Sequence, residues 1–255
     1  MIRIDDDDQV RTLTIDWPDR MNAIPPDGWE TLHHHFTEFE LSAQRVLIIT
    51  GARGNFCAGA DLSDDSSRHG VAARHPHMQA IGAAANALIR TTKPTIAAVD
   101  GVAVGAGMNL ALACDVVIAT PEARFSEIFA TRGLTLDFGG SWLLPRIVGL
   151  QRAKEISLSG RIVSATEARQ IGLCIDLVNQ DQLLTRAREL AIGFLGGAPV
   201  AQLLTKQALN RSFELSFEEA LSNEARSQAI CLSSEDADEG VRAFIEKRSP
   251  HWRGR

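Results

Sequence analysis

Residues 10–16, VRTLTID, alternate apolar and polar positions, as a strand with one buried face does. Residues 25–41, PPDGWETLHHHFTEFEL, place Trp29, Leu32, Phe36 and Phe39 at helical spacing, with two prolines near the start. The runs RVLIIT (45–50), TIAAV (95–99) and VVIAT (116–120) are short and unbroken, which predicts strands buried on both faces. A glycine-rich loop spans 51–62, and the polar stretch 63–77 is expected to be irregular and mobile. Residues 78–91 carry a helical pattern, and 100–115 begin as a glycine loop and turn into an apolar helix.

Strands alternating with helices point to an α/β fold built from units with right-handed crossovers. Beyond about residue 180 every segment has helical period and no strand candidate remains, with Ser216 and Glu219 spaced as a capping box. The chain therefore divides into a core over residues 1–195 and a helical region over 196–255. Apolar faces on such helices dock on the core or on a neighbouring subunit.

Composition narrows the function classes. The 255 residues are 45% hydrophobic and 23% charged, ordinary for a globular chain able to bury a sizeable core. A net charge of -6 argues against a nucleic-acid surface. No apolar run is long enough for a membrane span. The acidic start, MIRIDDDDQV, is unlike a secretory signal. Cys57, Cys114, Cys174 and Cys231 lie far apart, which suits reduced thiols in a cytoplasmic protein rather than a zinc site or a disulfide framework.

Two glycine-rich loops each follow a strand, one holding Gly59, Ala60 and Asp61, the other Gly105, Ala106 and Gly107. They read either as tight turns or as a pair of N–H donors aimed at one point, the geometry of an oxyanion hole. Neither matches a dinucleotide or phosphate-loop fingerprint. In GLTLDFGGSWLLP (133–145), Asp137 is the lone acid before two glycines. It reads as a helix cap or as a base kept out of water by Leu134, Leu136, Phe138 and Trp142.

The segments ITGARGNFCAGADL, KPTIAAVDGVAVGAGMNLALACD, GLTLDFGGSWLLPRIVG, SGRIVSATEARQIGLCIDLV and EGVRAFIEKRSPHW resemble, in order, the enoyl-CoA hydratase/isomerase (crotonase) superfamily. The similarity runs from WPDRMNAI to the end of the chain. It implies a crotonase-like spiral of ββα units with a helical C-terminal region, a fatty-acid-type acyl-CoA thioester substrate, and assembly as a homotrimer or a dimer of trimers. No metal or redox cofactor is implied, since coenzyme A enters with the substrate. The family's two oxyanion-hole N–H groups map onto Ala60 and Ala106. Its coenzyme A contacts map onto Ala58, Ala60, Asp61 and Leu62, with Arg20 near the phosphates and Lys247, beside Phe244, near the C-terminus. For Arg20 a solvated turn arginine is an equal reading.

The acid–base positions differ from those of hydratases. Hydratases use two glutamates, and their positions are held here by Asn109 and Phe129. Asn109 can orient a group or donate a hydrogen bond but exchanges no proton near neutral pH. Asp137 matches the position of a proton-shuttling aspartate in isomerase-type relatives. The resemblance thus favours double-bond isomerisation, with Asp137 catalytic beside Ala60, Ala106 and Asn109. The alternatives are 2-enoyl-CoA hydration (a lyase) and a non-catalytic acyl-CoA-binding subunit. Glu127 is a rival carboxylate, expected at the surface. His33, His34 and His35 point to different faces of a helix and read as solvated, not as metal ligands. Nothing beside Cys57 lowers its pKa. The acidic run 5–8 is expected to form an exposed turn between two edge strands.

Overall fold

The computed structural model describes residues 1–17, 20–63 and 70–255. The chain opens with a hairpin, β1 (Ile2–Asp7) and β2 (Val10–Ile15), followed by α1 (Gly28–Leu41) and β3 (Val46–Gly51). Next come α2 (Val71–Arg90), β4 (Thr95–Val99), β5 (Val102–Val104), α3 (Ala106–Leu112), β6 (Val116–Ala119) and β7 (Arg124–Ser126). A 3₁₀ turn (Ile128–Arg132) leads to α4 (Gly140–Val148), α5 (Leu150–Ser159), β8 (Val163–Ser164), α6 (Ala165–Ile171) and β9 (Asp176–Leu177). Four helices finish the chain: α7 (Leu183–Leu195), α8 (Pro199–Asn210), α9 (Phe217–Leu232) and α10 (Glu235–Glu246).

A six-stranded sheet has the order β1-β2-β3-β4-β6-β9, and every pair from β2 onward is parallel. A smaller sheet, β5-β7-β8, stands beside it. The chain passes from the large sheet to the small one and on to a helix, as in β4-β5-α3, then returns at β6. This is the expected ββα spiral. The strands of the small sheet were not anticipated from sequence, because two or three residues are too few to show a period.

The unbroken apolar runs are explained by burial on both faces. Val46, Ile48, Ile96, Ala98 and Ile118 pack with Leu183, Ala187 and Ala191 of α7. Their alternates Leu47, Ile49, Ala97, Val99 and Ala119 face the main core, where α1 buries Trp29, Leu32, Phe36 and Phe39 as its spacing requires. Helix α7 ends at Leu195. Arg45 ties the following segment back to the core, its guanidinium donating to Leu195 O (3.3 Å), Gly197 O (2.6 Å) and Gln202 Oε1 (3.3 Å). The capping box of Ser216 and Glu219 is formed at the start of α9.

Two expectations fail. Residues 71–77 are the first turns of α2 rather than irregular chain, and the helix runs through Pro76 to the face that buries Ile81, Ala84 and Leu88. Residues 64–69 of that stretch lie outside the described residues. The acidic run 5–8 is not a turn: Asp5, Asp6 and Asp7 belong to β1, where Asp6 accepts from Arg11 Nε at 2.7 Å, and only Asp8 enters the turn.

Candidate active site

The two glycine loops meet. Gly59 takes φ +91°, and a Cβ there would lie 2.8 Å from Val104 O and 3.4 Å from Ala106 N. Gly107 must lack a Cβ because the carbonyl of Cys57 occupies that space. Cys57 N donates to Val102 O (2.8 Å) and Val104 N donates to Cys57 O (3.0 Å), so a short ladder locks the loops together. Ala60 is held by its own neighbours, with Ile24 N donating to Gly59 O (2.7 Å) and Asp61 N to Ile24 O (2.8 Å). Among the described residues the N–H groups of Ala60 and Ala106 have no internal acceptor. Both residues line one cavity of about 480 Å³.

Ala58, Leu62, Phe129 and Asp137 line the same cavity, and Asp137 is the only carboxylate on its described wall. Asp137 does not cap α4. The cap position is Gly139, with no side-chain cap, and Gly140 N donates to the main-chain oxygen of Asp137 at 2.9 Å. Phe138 (φ 46°) and Gly139 (φ 81°) take successive left-handed conformations. Such a conformation is costly at Phe138, and packing holds it: the ring is buried against Trp29, centroids 5.7 Å apart. Asp137 Oδ1 is buried without a hydrogen-bond partner among the described residues, and burial pushes its carboxyl up to about 7. Of the expected apolar surround, Phe138 is buried next to the acid and Leu134 lines the cavity, half exposed. Leu136 does not line that cavity, and Trp142 turns away to stack on Arg146 at 3.8 Å.

Glu127 corrects the sequence reading. It is not at the surface but fully buried, between β7 and the 3₁₀ turn. Asn109 Nδ2 donates to Glu127 Oε2 (3.3 Å) and to the main-chain oxygen of Asp137 (3.1 Å). Burial, and then the charge of Asp137, push the Glu127 carboxyl up to about 8, with the Asn109 bond acting in the opposite sense. The available signal was its setting: in FSEIF the acid sits among apolar residues just past a strand.

The remaining candidates are spread out. Arg20 Nη1 pairs with Asp61 Oδ1 at 2.6 Å, beside the loop but off the cavity wall. Lys247 ends α10 in a left-handed conformation, Phe244 is exposed, and neither lines the cavity. Cys57 is buried and its thiol is pushed up to about 12 by burial. His33 and His34 are exposed, His35 lies 3.6 Å from Glu38, and the described residues contain no group of three potential metal ligands. No described helix is long and apolar enough to cross a membrane.

Residues 5–255 match the enoyl-CoA hydratase/isomerase family. The chain belongs to this family. A short-chain-enoyl-CoA hydratase of Clostridium acetobutylicum is 35% identical over 246 residues, covering 94% of this chain and 92% of the relative. A 1,2-epoxyphenylacetyl-CoA isomerase of Escherichia coli is 37% identical over 252 residues, covering 96% and 95%. The crystal structure of an enoyl-CoA hydratase from Bacillus anthracis superposes with a TM-score of 0.95 at 31% identity, covering 100% of this chain and 99% of that one. The spiral is thus the crotonase fold, and the chain is an enzyme of the enoyl-CoA hydratase/isomerase family. Relatives of both reaction types are thus similar to this chain.

Proposed function

We propose that this enoyl-CoA hydratase/isomerase family member moves a double bond in an unsaturated acyl-CoA through an enolate. The observation that carries this reading is Asp137, the single carboxylate among the described residues of a cavity wall that also presents the free N–H groups of Ala60 and Ala106. A thioester oxygen held by those two donors spreads the charge that develops when the α-proton leaves. One carboxylate raised towards neutrality can take the proton from C2 and return it at C4, so no second acid is required. Phe129 on the cavity wall cannot activate water, and Asn109 behind it cannot exchange a proton. In this reading coenzyme A lies along Ala58, Ala60, Asp61 and Leu62, with Arg20 and Lys247 serving its phosphates. No metal or redox group takes part. Exposed apolar residues in the C-terminal helical region, among them Leu209, Phe213, Phe217 and Phe244, support a trimer or a pair of trimers.

Hydration is the second reading, favoured by the second buried carboxyl, Glu127, and by the hydratase name of the Clostridium relative. The two are separated by offering purified protein 3-enoyl-CoA and 2-enoyl-CoA, each repeated with Asp137→Asn. Double-bond migration that drops by about 10²–10⁴ in the variant supports isomerisation. Water addition that survives the substitution overturns it. Tight thioester binding without turnover by the native protein assigns a binding role instead.

A further inference from the structure

Glu127 has no exposed surface, and among the described residues it has no cationic partner and one oxygen, Oε1, without any hydrogen bond. Asn109 Oδ1 and Asp137 Oδ1 are likewise buried and unpartnered. Three neighbouring oxygens therefore lack a donor, and a proton on Glu127 supplies one. The charged groups around it leave little else to balance an ionised Glu127. Helix α3 has no titratable residue, and on α4 the only one, Arg146, stacks on Trp142 (3.8 Å). Arg152, Lys154 and Glu155 of α5 are exposed, as are Arg124 of β7 and Arg132 of the 3₁₀ turn; Arg132, with Arg74 and His77 of α2, lines the cavity that Asp137 opens onto. The charge that does act on Glu127 is that of Asp137. An uncompensated buried charge is costly, so the neutral acid is the form the fold accommodates.

The backbone carrying Asp137 hangs on the same amide. Asn109 Nδ2 binds the Asp137 carbonyl oxygen, and α4 starts so close that a Cβ on Gly140 would collide with the Asn109 amide. The position of Asp137 thus depends on the orientation of Asn109, and that orientation depends on Glu127.

We propose that Glu127 is a positioning residue for Asp137: as the neutral acid it fixes the Asn109 amide, and through it the loop that presents Asp137 to the cavity. Glu127 touches no substrate and exchanges no proton in the reaction. While it is neutral, Asp137 alone carries the charge of the pair. When Glu127 ionises, a second negative charge faces the first across Asn109, and repulsion pushes the Asp137 loop out of register. The site then loses activity on its alkaline side.

This rests on the isomerase reading, and the experiment keeps the two apart. Isomerisation of 3-enoyl-CoA is followed against pH for the native enzyme, Glu127→Gln and Glu127→Ala, with carboxyl ¹³C NMR titration of native enzyme and Asp137→Asn. The native profile should rise as Asp137 ionises and fall as Glu127 does. Below the falling limb, where native Glu127 is neutral, Glu127→Ala should lose kcat by about 10–100-fold while KM stays within about twofold, the mark of a displaced base. Glu127→Gln, which keeps an acceptor for Asn109, should rescue most of that loss and abolish the falling limb. In the NMR titration Glu127 should ionise well above the ordinary carboxylate range, and at lower pH once Asp137 is replaced. A falling limb unchanged in Glu127→Gln, or a Glu127 that titrates as a free glutamate, overturns the proposal. An absent isomerisation with the NMR coupling intact removes the isomerase reading and leaves the positioning role standing.

Discussion

Asn109 donates its side-chain amide to Glu127 at 3.3 Å in the interior of the protein. Its amide is a bridge between two acids, reaching the Glu127 carboxyl and the main-chain oxygen of Asp137. That relationship makes Asn109, and the glycine packed against it, sensitive positions.

Gly140→Ala places a methyl group into the Asn109 amide. Overpacking of this kind costs about 1–3 kcal/mol. The expected result is a lower denaturation midpoint together with a fall in kcat, since the amide that holds the Asp137 carbonyl must turn. A variant with native stability and native kcat would show that Asn109 has room to move.

Ala106 is the first residue of α3, a position where proline is tolerated because its N–H has no helical acceptor. Ala106→Pro therefore removes one N–H from the cavity with little expected loss of fold. Loss of an oxyanion donor costs about 10²–10³ in kcat. Turnover measured beside a circular-dichroism melt checks this, and a folded variant with native kcat would take Ala106 out of the reaction.

Stability should fall as pH rises through neutrality. The carboxyls of Asp137 and Glu127 are raised on folding, to about 7 and about 8, so the native state binds more protons than the unfolded chain between the two ranges. Their contribution is full below the unfolded carboxylate pKa and is lost as pH climbs through the folded values. Glu127→Gln and Asp137→Asn remove this loss, and at alkaline pH each should be more stable than the native protein by about 2–4 kcal/mol. Denaturant titrations at acid and alkaline pH measure it; variants that track the native pH dependence would refute it.

Thiol reagents should separate the cysteines. Cys57, Cys114 and Cys174 are buried and Cys231 is partly exposed. Burial pushes the Cys57 thiol up to about 12. Cys231 should be alkylated first in the native protein, with Cys57 reacting only on unfolding. Peptide mapping after a timed exposure reads the order, and early labelling of Cys57 would contradict its burial.

Much of the large sheet was legible because its strands are buried on both faces, so β3, β4 and β6 appear as unbroken apolar runs. The four buried residues of α1 were legible for the same reason, a period tied to one face. The small sheet was not, since β5, β7 and β8 are held by pairing with distant segments rather than by any local pattern. Glu127 was misread on the same account. Charge alone suggests the surface, and its burial follows only from where β7 and the 3₁₀ turn are placed.

By itself the sequence determined which segments are strands and helices of the main core, where the two glycine loops occur, and that Asp137 stands alone in an apolar stretch. These features rest on local chemistry: side-chain period, the conformational freedom of glycine, and residue type. Only the tertiary structure decided that the loops share one cavity and that Asp137 opens onto it instead of capping α4. It also decided that Asn109 joins Asp137 to a second buried acid. The physical reason is that burial and proximity belong to the packed chain. A carboxyl's proton affinity is set by the water it has lost and the charge it faces, and neither is written in its neighbours along the sequence.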